Sequence, residues 1–283
     1  IYGSTIGIPE SFSVLDEGDS QEAVQRCVVQ MDLSEKEKNF PKKGTLKSII
    51  SASINKNSTI EKIVAKEYSD FLSFTPQIEE LSAKYAEYKI QKSLFDYDDL
   101  LIYAKKLLDN QKIREHLSSK YQYIMVDEYQ DTNRLQADIT QSLASGHNNI
   151  MAVGDDAQSI YGFRGATHAN IMDFPKRFSA CRIIKLEENY RSTQAILNLA
   201  NSVLENMENK YSKCLVSARK EAGKKPQIFL FNDAYIEAGW IAERISEFAS
   251  QGIALAEQAV LFRSTYISIP LQAELSKRSI PFQ

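Results

Sequence analysis

Hydrophobic and polar positions change their rhythm twice along this chain. From residue 10 to residue 32, a turn precedes an apolar stripe of Ala23, Val24, Cys27, Val28 and Met31. That spacing predicts a helix, which Asp16 or Asp19 can cap. Between residues 34 and 92 strong strand runs are missing, and "LKSIISASI", "IEKIVAKEYSDFL" and "IEELSAKYAEYKIQ" carry the helical period. A small all-helical insertion is predicted there. "FDYDDLLIYAKKLL" (95–108) opens another helix, with Asp96 as its cap and acids gathered at the positive end of the helix dipole.

From Tyr121 onward the rhythm alternates. Short apolar runs predict strands at 122–126, 149–153, 182–186, 227–231 and 258–262. Between and after them, helices fit 133–145, 168–177, 192–208, 234–250 and 267–278. Alternation of this kind predicts an α/β fold built on a doubly wound parallel sheet. "EAGKKP" (221–226) reads as a turn-rich linker, and no internal repeat or low-complexity tract interrupts the pattern.

Composition narrows the class. A chain of 283 residues, 43% hydrophobic and 25% charged, reads as a soluble globular protein long enough for two domains. Its apolar runs fall short of a membrane span, and no signal peptide is visible. Cys27, Cys181 and Cys214 are scattered and odd in number, which argues for a reducing, cytoplasmic setting. No CxxC or paired histidine suggests zinc. The net charge of −3 does not by itself point to nucleic acid. The lysine-rich stretch from 34 to 66 suits a solvated helical face or a phosphate-contacting patch equally well.

Three stretches carry candidate chemistry. In "KYQYIMVDEYQDTN" (120–133) an apolar run ends in adjacent acids, Asp127 and Glu128. Ligands of open α/β sheets bind where strands end, and paired acids there suit nucleotide hydrolysis. The plainer alternative is an acidic turn capping the helix that follows. "IMAVGDDAQSIYGFRGA" (150–166) ends a second apolar run in a Gly-Asp turn, then delivers Gln158, Tyr161, Phe163 and Arg164. An amide there can sense a terminal phosphate, and aromatics with an arginine can stack single-stranded bases. In "IIKLEENYRSTQAIL" (183–197), Tyr190 and Arg191 stand at a strand-to-helix junction, where an aromatic can stack on a base and a guanidinium can meet a phosphate.

Together, in this order and near this spacing, these stretches resemble motifs II, III and IV of the UvrD/Rep-like superfamily 1 DNA helicases. "LFDYDDLL" (94–101) resembles the family's "DFDDL" stretch, and residues 258–283 resemble the segment before its second accessory domain. The resemblance implies RecA-like parallel sheets of the P-loop NTPase type, present in part, with an inserted all-helical accessory subdomain. It divides the chain into a first motor domain (1–33 and 93–180), the helical insertion (34–92) and the first part of a second motor domain (181–283). The implied activity is ATP-dependent 3′ to 5′ translocation on single-stranded DNA and duplex unwinding, in repair, replication or recombination.

The resemblance also implies roles. Asp127 would bind Mg²⁺, and Glu128 would act as general base. Gln158 would read the γ-phosphate of ATP, Tyr190 would stack on adenine, and Arg191 would serve as an arginine finger. Tyr161, Phe163, Arg164 and Arg263 would contact DNA, single-stranded or at junctions. Many relatives carry Trp where Phe163 stands, and an "NAQSR"-like run where this chain reads "TYISI" after Arg263. No GxxxxGK[ST] occurs, and the chain starts at Ile1 with sequence of mid-protein character. A partial chain is therefore expected, with its phosphate cradle upstream and no ATP hydrolysis by itself. Two other readings of the parent are a helicase subunit of a helicase-nuclease and a non-catalytic single-strand-binding scaffold.

Overall fold

The computed structural model describes residues 2–33, 39–221 and 223–283, so the first positions of the expected insertion, 34–38, lie outside the described residues. The chain divides into two compact units: Ile1–Arg191 with Ala200–Ala218, and Ser192–Leu199 with Arg219–Gln283.

In the first unit, β1 (Ser13–Val14) leads into α1 (Glu17–Gln30). Asp16 makes the cap, accepting the Asp19 N–H at 2.8 Å. Then come α2 (Lys43–Asn55), α3 (Ile60–Glu67) and α4 (Thr75–Gln91). The apolar stripes of these four helices share one core that includes Val24, Cys27, Leu46, Ile49, Val64, Ile78 and Leu81, all fully buried. The chain returns through β2 (Leu94–Phe95), which pairs in parallel with β1. The described residues between Val14 and Leu94 thus form an excursion between two neighbouring strands.

Next come α5 (Tyr97–Asp109), held by a reciprocal capping box of Asp96 and Asp99, and α6 (Gln111–Lys120). The chain then makes a β-α-β unit. β3 (Ile124–Val126) is followed by α7 (Arg134–Ala144), and β4 (Ile150–Ala152) lies in parallel register beside β3. α8 (His168–Arg177) packs Ile171 and Phe174 into a second core with Tyr129, Ala137, Ala144 and Phe178. A last parallel pair joins β5 (Glu188–Asn189) to β6 (Val216–Ser217), with α9 (Gln194–Glu205) between them in sequence. In the second unit, α10 (Ala234–Ser250) and α11 (Ile269–Lys277) bury Ala238, Ala242, Leu271 and Leu275 against each other.

Three of the five strands predicted beyond residue 121 are corrected here. Among the described residues there are three separate two-stranded parallel sheets, and 182–186, 227–231 and 258–262 form no ladder. A strand of a parallel sheet needs a hydrogen-bonding neighbour and cover on both faces. Those runs have neither among the described residues: Leu186, Ile228, Leu230 and Leu261 are 80%, 87%, 92% and 93% exposed.

Candidate functional site

β3 and β4 stop side by side, with Val126 opposite Ala152. The pairing continues just past their ends, where the Val153 N–H donates to Val126 O at 2.8 Å and the Tyr129 N–H to Val153 O at 2.9 Å. Asp127 and Glu128 emerge at this edge with exposed side chains. Glu128 sits in the left-handed region, φ 49° and ψ 43°, which a non-glycine residue rarely adopts. Backbone in this region costs of order 1 kcal/mol or more and persists only where its surroundings hold it. Here the Asp127 carboxylate accepts the Glu128 N–H at 2.9 Å, and buried Tyr129 anchors the chain just beyond.

Gln130 links this turn to the next motif. Its Nε2 donates to Glu128 Oε2 at 2.8 Å, and its Oε1 accepts the Asp155 N–H at 3.0 Å. Gln158 Nε2 in turn donates to Asp155 Oδ2 at 2.8 Å. Glu128, Gln130, Asp155 and Gln158 therefore form one hydrogen-bonded chain across two strand ends. Gly154 is required by its closeness to this chain, since an added Cβ would lie 2.5 Å from Gln130 Oε1.

A cation closes the arrangement. Lys213 Nζ contacts Asp155 Oδ1 and donates to buried Asp156 at 2.8 Å. Burial pushes the Lys213 ammonium down, and its bonds to the two aspartates outweigh that and hold it above its ordinary value. Burial likewise pushes Asp155 up, while Lys213 and Gln158 outweigh it and hold the carboxyl below the usual range. The segment of Lys213 also meets the third motif, with the Cys214 N–H donating to Glu187 Oε1 at 2.6 Å and the Val216 N–H to Glu187 O at 2.9 Å.

Asp127, Glu128, Gly154, Asp155 and Lys213 line a cleft of about 860 Å³ together with Phe178, Ile184 and Leu186. Among the described residues no cluster of three or more acids, histidines or cysteines is poised for a metal. An Mg²⁺ ion carried by nucleotide phosphates needs only one or two protein carboxylates, the rest of its shell being phosphate and water. Exposed Asp127 on the cleft fits that limited demand.

The aromatic-basic stretch forms a short turn, Gly162–Arg164. The Arg164 guanidinium lies 5.1 Å from the Tyr161 ring centre and 5.4 Å from that of Phe163. All three side chains are exposed. Tyr190 is 74% exposed and donates its hydroxyl to Glu188 at 2.7 Å, a bond that with the carboxylate's charge raises the phenol above its ordinary value. Arg191 donates its backbone N–H to Asn189 Oδ1 at 3.0 Å, and its side chain is exposed. Arg263 belongs to the second unit and is exposed.

The first unit therefore brings Asp127, Glu128 and Gln158 into one network and groups Tyr161, Phe163 and Arg164 in one turn. Tyr190 and Arg191 follow β5, which the Lys213 segment joins. Lys213 escaped sequence reasoning because its partners are 57 and 58 positions away. Gln130 was visible only as part of a polar knot, and its burial between partners at two strand ends was needed to give it a task.

The chain matches the UvrD/REP helicase N-terminal domain over residues 2–179 and the UvrD-like helicase C-terminal domain over residues 184–283. It is 32% identical over 281 residues to the ATP-dependent DNA helicase PcrA of Bacillus subtilis (strain 168), covering 98% of this chain and 37% of that protein. Identity to DNA helicase II of Escherichia coli (strain K12) is 33% over 277 residues, covering 98% and 37%. A probable DNA helicase II homolog of Mycoplasma capricolum is 31% identical over 296 residues, covering 100% and 39%. The chain thus spans less than two-fifths of the length of each of these relatives. The matched domains imply a RecA-like α/β fold, with which the parallel strand pairs and surrounding helices agree. With both domain types matched in chain order over nearly all of its length, the chain belongs to the UvrD/Rep helicase family.

Proposed function

We propose that this chain is the central portion of an ATP-dependent 3′ to 5′ DNA helicase acting on single-stranded and junction DNA in repair, replication or recombination. Residues 1–33 and 93–180 belong to its first motor domain, 34–92 to a helical accessory insertion, and 181–283 to the start of the second motor domain. Parallel pairing of β1 with β2 across the intervening helices supports the insertion. A cytoplasmic setting is consistent with the absence, among the described residues, of any helix long and apolar enough to cross a membrane.

The observation that carries the reading is the hydrogen-bonded chain from Glu128 through Gln130 and Asp155 to Gln158. It joins a carboxylate able to accept the proton of an attacking water to an amide able to sense a terminal phosphate. Asp127 would hold Mg²⁺, which when bound would supply neutralising charge to the phosphates. Tyr190 stacks on adenine, and Arg191 supplies a guanidinium to the phosphates. Tyr161, Phe163 and Arg164 present a stacking platform to single-stranded DNA, which Arg263 extends from the second motor domain. Base stacking on such side chains contributes ~1–3 kcal/mol per base.

The test is a pair of substitutions in the full-length helicase. Glu128→Gln keeps the shape of the carboxylate and removes its basicity, so kcat falls ~10²–10⁴-fold while ATP and DNA affinities persist. Asp127→Asn instead makes ATP binding depend more steeply on added Mg²⁺. Normal turnover by the Glu128→Gln enzyme would refute the assignment. The cap of α7 is Asn133, not these acids; if Asp127 and Glu128 serve only the shape of their turn, both variants lose ~1 kcal/mol of stability or less and keep their chemistry.

A further inference from the structure

We propose that Asn55 is a positioning residue that couples the single-strand platform of Tyr161, Phe163 and Arg164 to the acids Asp127 and Glu128, making ATP turnover answer to bound DNA. This rests on the helicase reading above.

Asn55 is the last residue of α2, half-buried, and it meets three separate stretches of the chain. Its Nδ2 donates to Asp98 Oδ1 at 2.8 Å. An ionised carboxylate only accepts, so this contact fixes which way the amide points. Asn55 Oδ1 is thereby presented to Asn133, whose Nδ2 donates to it at 2.7 Å. Asn133 ends the stretch that begins with Asp127 and Glu128, and between them Tyr129 and Gln130 are each 1% exposed. Packing that tight leaves little slack.

The third contact is backbone against backbone. Gly165, φ 90°, follows Arg164 directly, and a Cβ added to it would stand 2.8 Å from Asn55 Cβ and 3.1 Å from the Asn55 carbonyl oxygen. The turn that stacks Arg164 over Tyr161 and Phe163 therefore rests on Asn55. Ala166, one residue on, pairs with Asn133 in an isolated bridge.

On its far side Asn55 is anchored. Asp98 Oδ2 accepts from buried Lys47 at 2.8 Å, and Lys47 lies 3.4 Å from Asp96. Asp96 is held in turn by Lys89 at 2.9 Å and by the Tyr85 hydroxyl at 2.9 Å. Buried charge pairs of this kind resist rearrangement, because separating them strands a charge away from water. A base stacking on the platform presses Gly165 toward an Asn55 that cannot retreat into its helix. The displacement passes to Asn133 and so to the end of β3.

The experiment measures ATP turnover by the full-length protein without DNA and with saturating oligonucleotide, together with oligonucleotide affinity by fluorescence anisotropy. Asn55→Ala and Asn133→Asp are compared with wild type. The second keeps the cap oxygen that accepts the Gln136 N–H at 2.8 Å and removes the donor to Asn55, so it carries the test if Asn55→Ala fails to fold.

Both variants are expected to hold DNA-free turnover and DNA affinity within about twofold, while stimulation by DNA drops about tenfold, as for a typical coupling between sites. The double variant should lose no more than either single one. Equal proportional loss with and without DNA, undiminished stimulation, or additive losses would each overturn the proposal. A wild-type protein that DNA does not stimulate would instead sink the helicase reading itself.

Discussion

Lys47 and Lys213 each bridge two aspartates, Lys47 to Asp96 and Asp98, and Lys213 to Asp155 and Asp156. Around Lys47 the circle is closed. The lysine and Asp96 have side chains 5% and 3% exposed, and every acid nearby has a further partner in Lys89, Tyr85 or Asn55. Around Lys213 the circle is open. Asp155 accepts a further bond from exposed Gln158, and the neighbouring strand ends in exposed Asp127 and a left-handed Glu128 on the edge of a cleft. The same residue types build architecture where each charge is partnered and dry, and a site where pairing stops at solvent.

Three experiments press on that contrast. The largest effect is expected from Lys47→Met, which leaves Asp98 and Asp96 buried with less compensation. A loss of about 3–5 kcal/mol in urea unfolding is expected, as when one member of a buried pair is removed. A loss below ~1 kcal/mol would show that the closed network is no tighter than a surface one.

Gly154→Ala comes next and strikes the open region where it meets buried Gln130. Its methyl group meets Gln130 Oε1 and Ile171 Cδ1, at 2.5 Å and 3.0 Å from the built Cβ. Overpacking of this kind costs about 1–3 kcal/mol. If the Gln130 bridge orients Glu128, kcat of the full-length protein falls as well. Stability lost without any change in turnover would separate the bridge from the chemistry.

The smallest effect is on acid stability. Burial pushes the Asp96 carboxyl up, and the Lys47 and Lys89 ammoniums outweigh it, holding it well below the usual carboxylate range. A folded value beneath the unfolded one means that the unfolded chain takes the proton first as pH falls. The stabilisation is therefore fully present above about pH 4, the ordinary aspartate value, and is lost as pH drops toward the depressed one. Asp99, raised chiefly by its burial, works in the opposite sense and makes the limb shallow. Urea midpoints should hold steady down to about pH 5 and decline only below about pH 4. A decline already complete at pH 5 would place the controlling group elsewhere.

Local chemistry explains what was legible. The cap at Asp16, the cap at Asp96, the helices of residues 43–91 and the acids closing β3 all depend on neighbours a few positions apart. Strand formation was legible only where a partner exists. "YIMV" and "IMAV" promise a ladder in the same terms as "IFLF" (228–231), yet only the first two find each other. Parallel pairing is non-local, and an apolar run carries no record of what will lie beside it.

By itself, then, the sequence determined the helical layer, the βαβ rhythm, and the identity and order of Asp127, Glu128, Gln158, Tyr161, Phe163, Arg164, Tyr190, Arg191 and Arg263. Spacing and side-chain type are properties of the chain. Only the tertiary structure decided that Gln130 bridges two strand ends, that Lys213 holds Asp155, and that Asn55 joins the helical layer to Asn133 and Gly165. Apart from the short Gln130–Glu128 link, those contacts span from about 25 to more than 100 positions, and the residues that make them are ordinary amides, a lysine and a glycine. Nothing in such a residue distinguishes a buried bridge from a solvated surface group until folding removes the water around it.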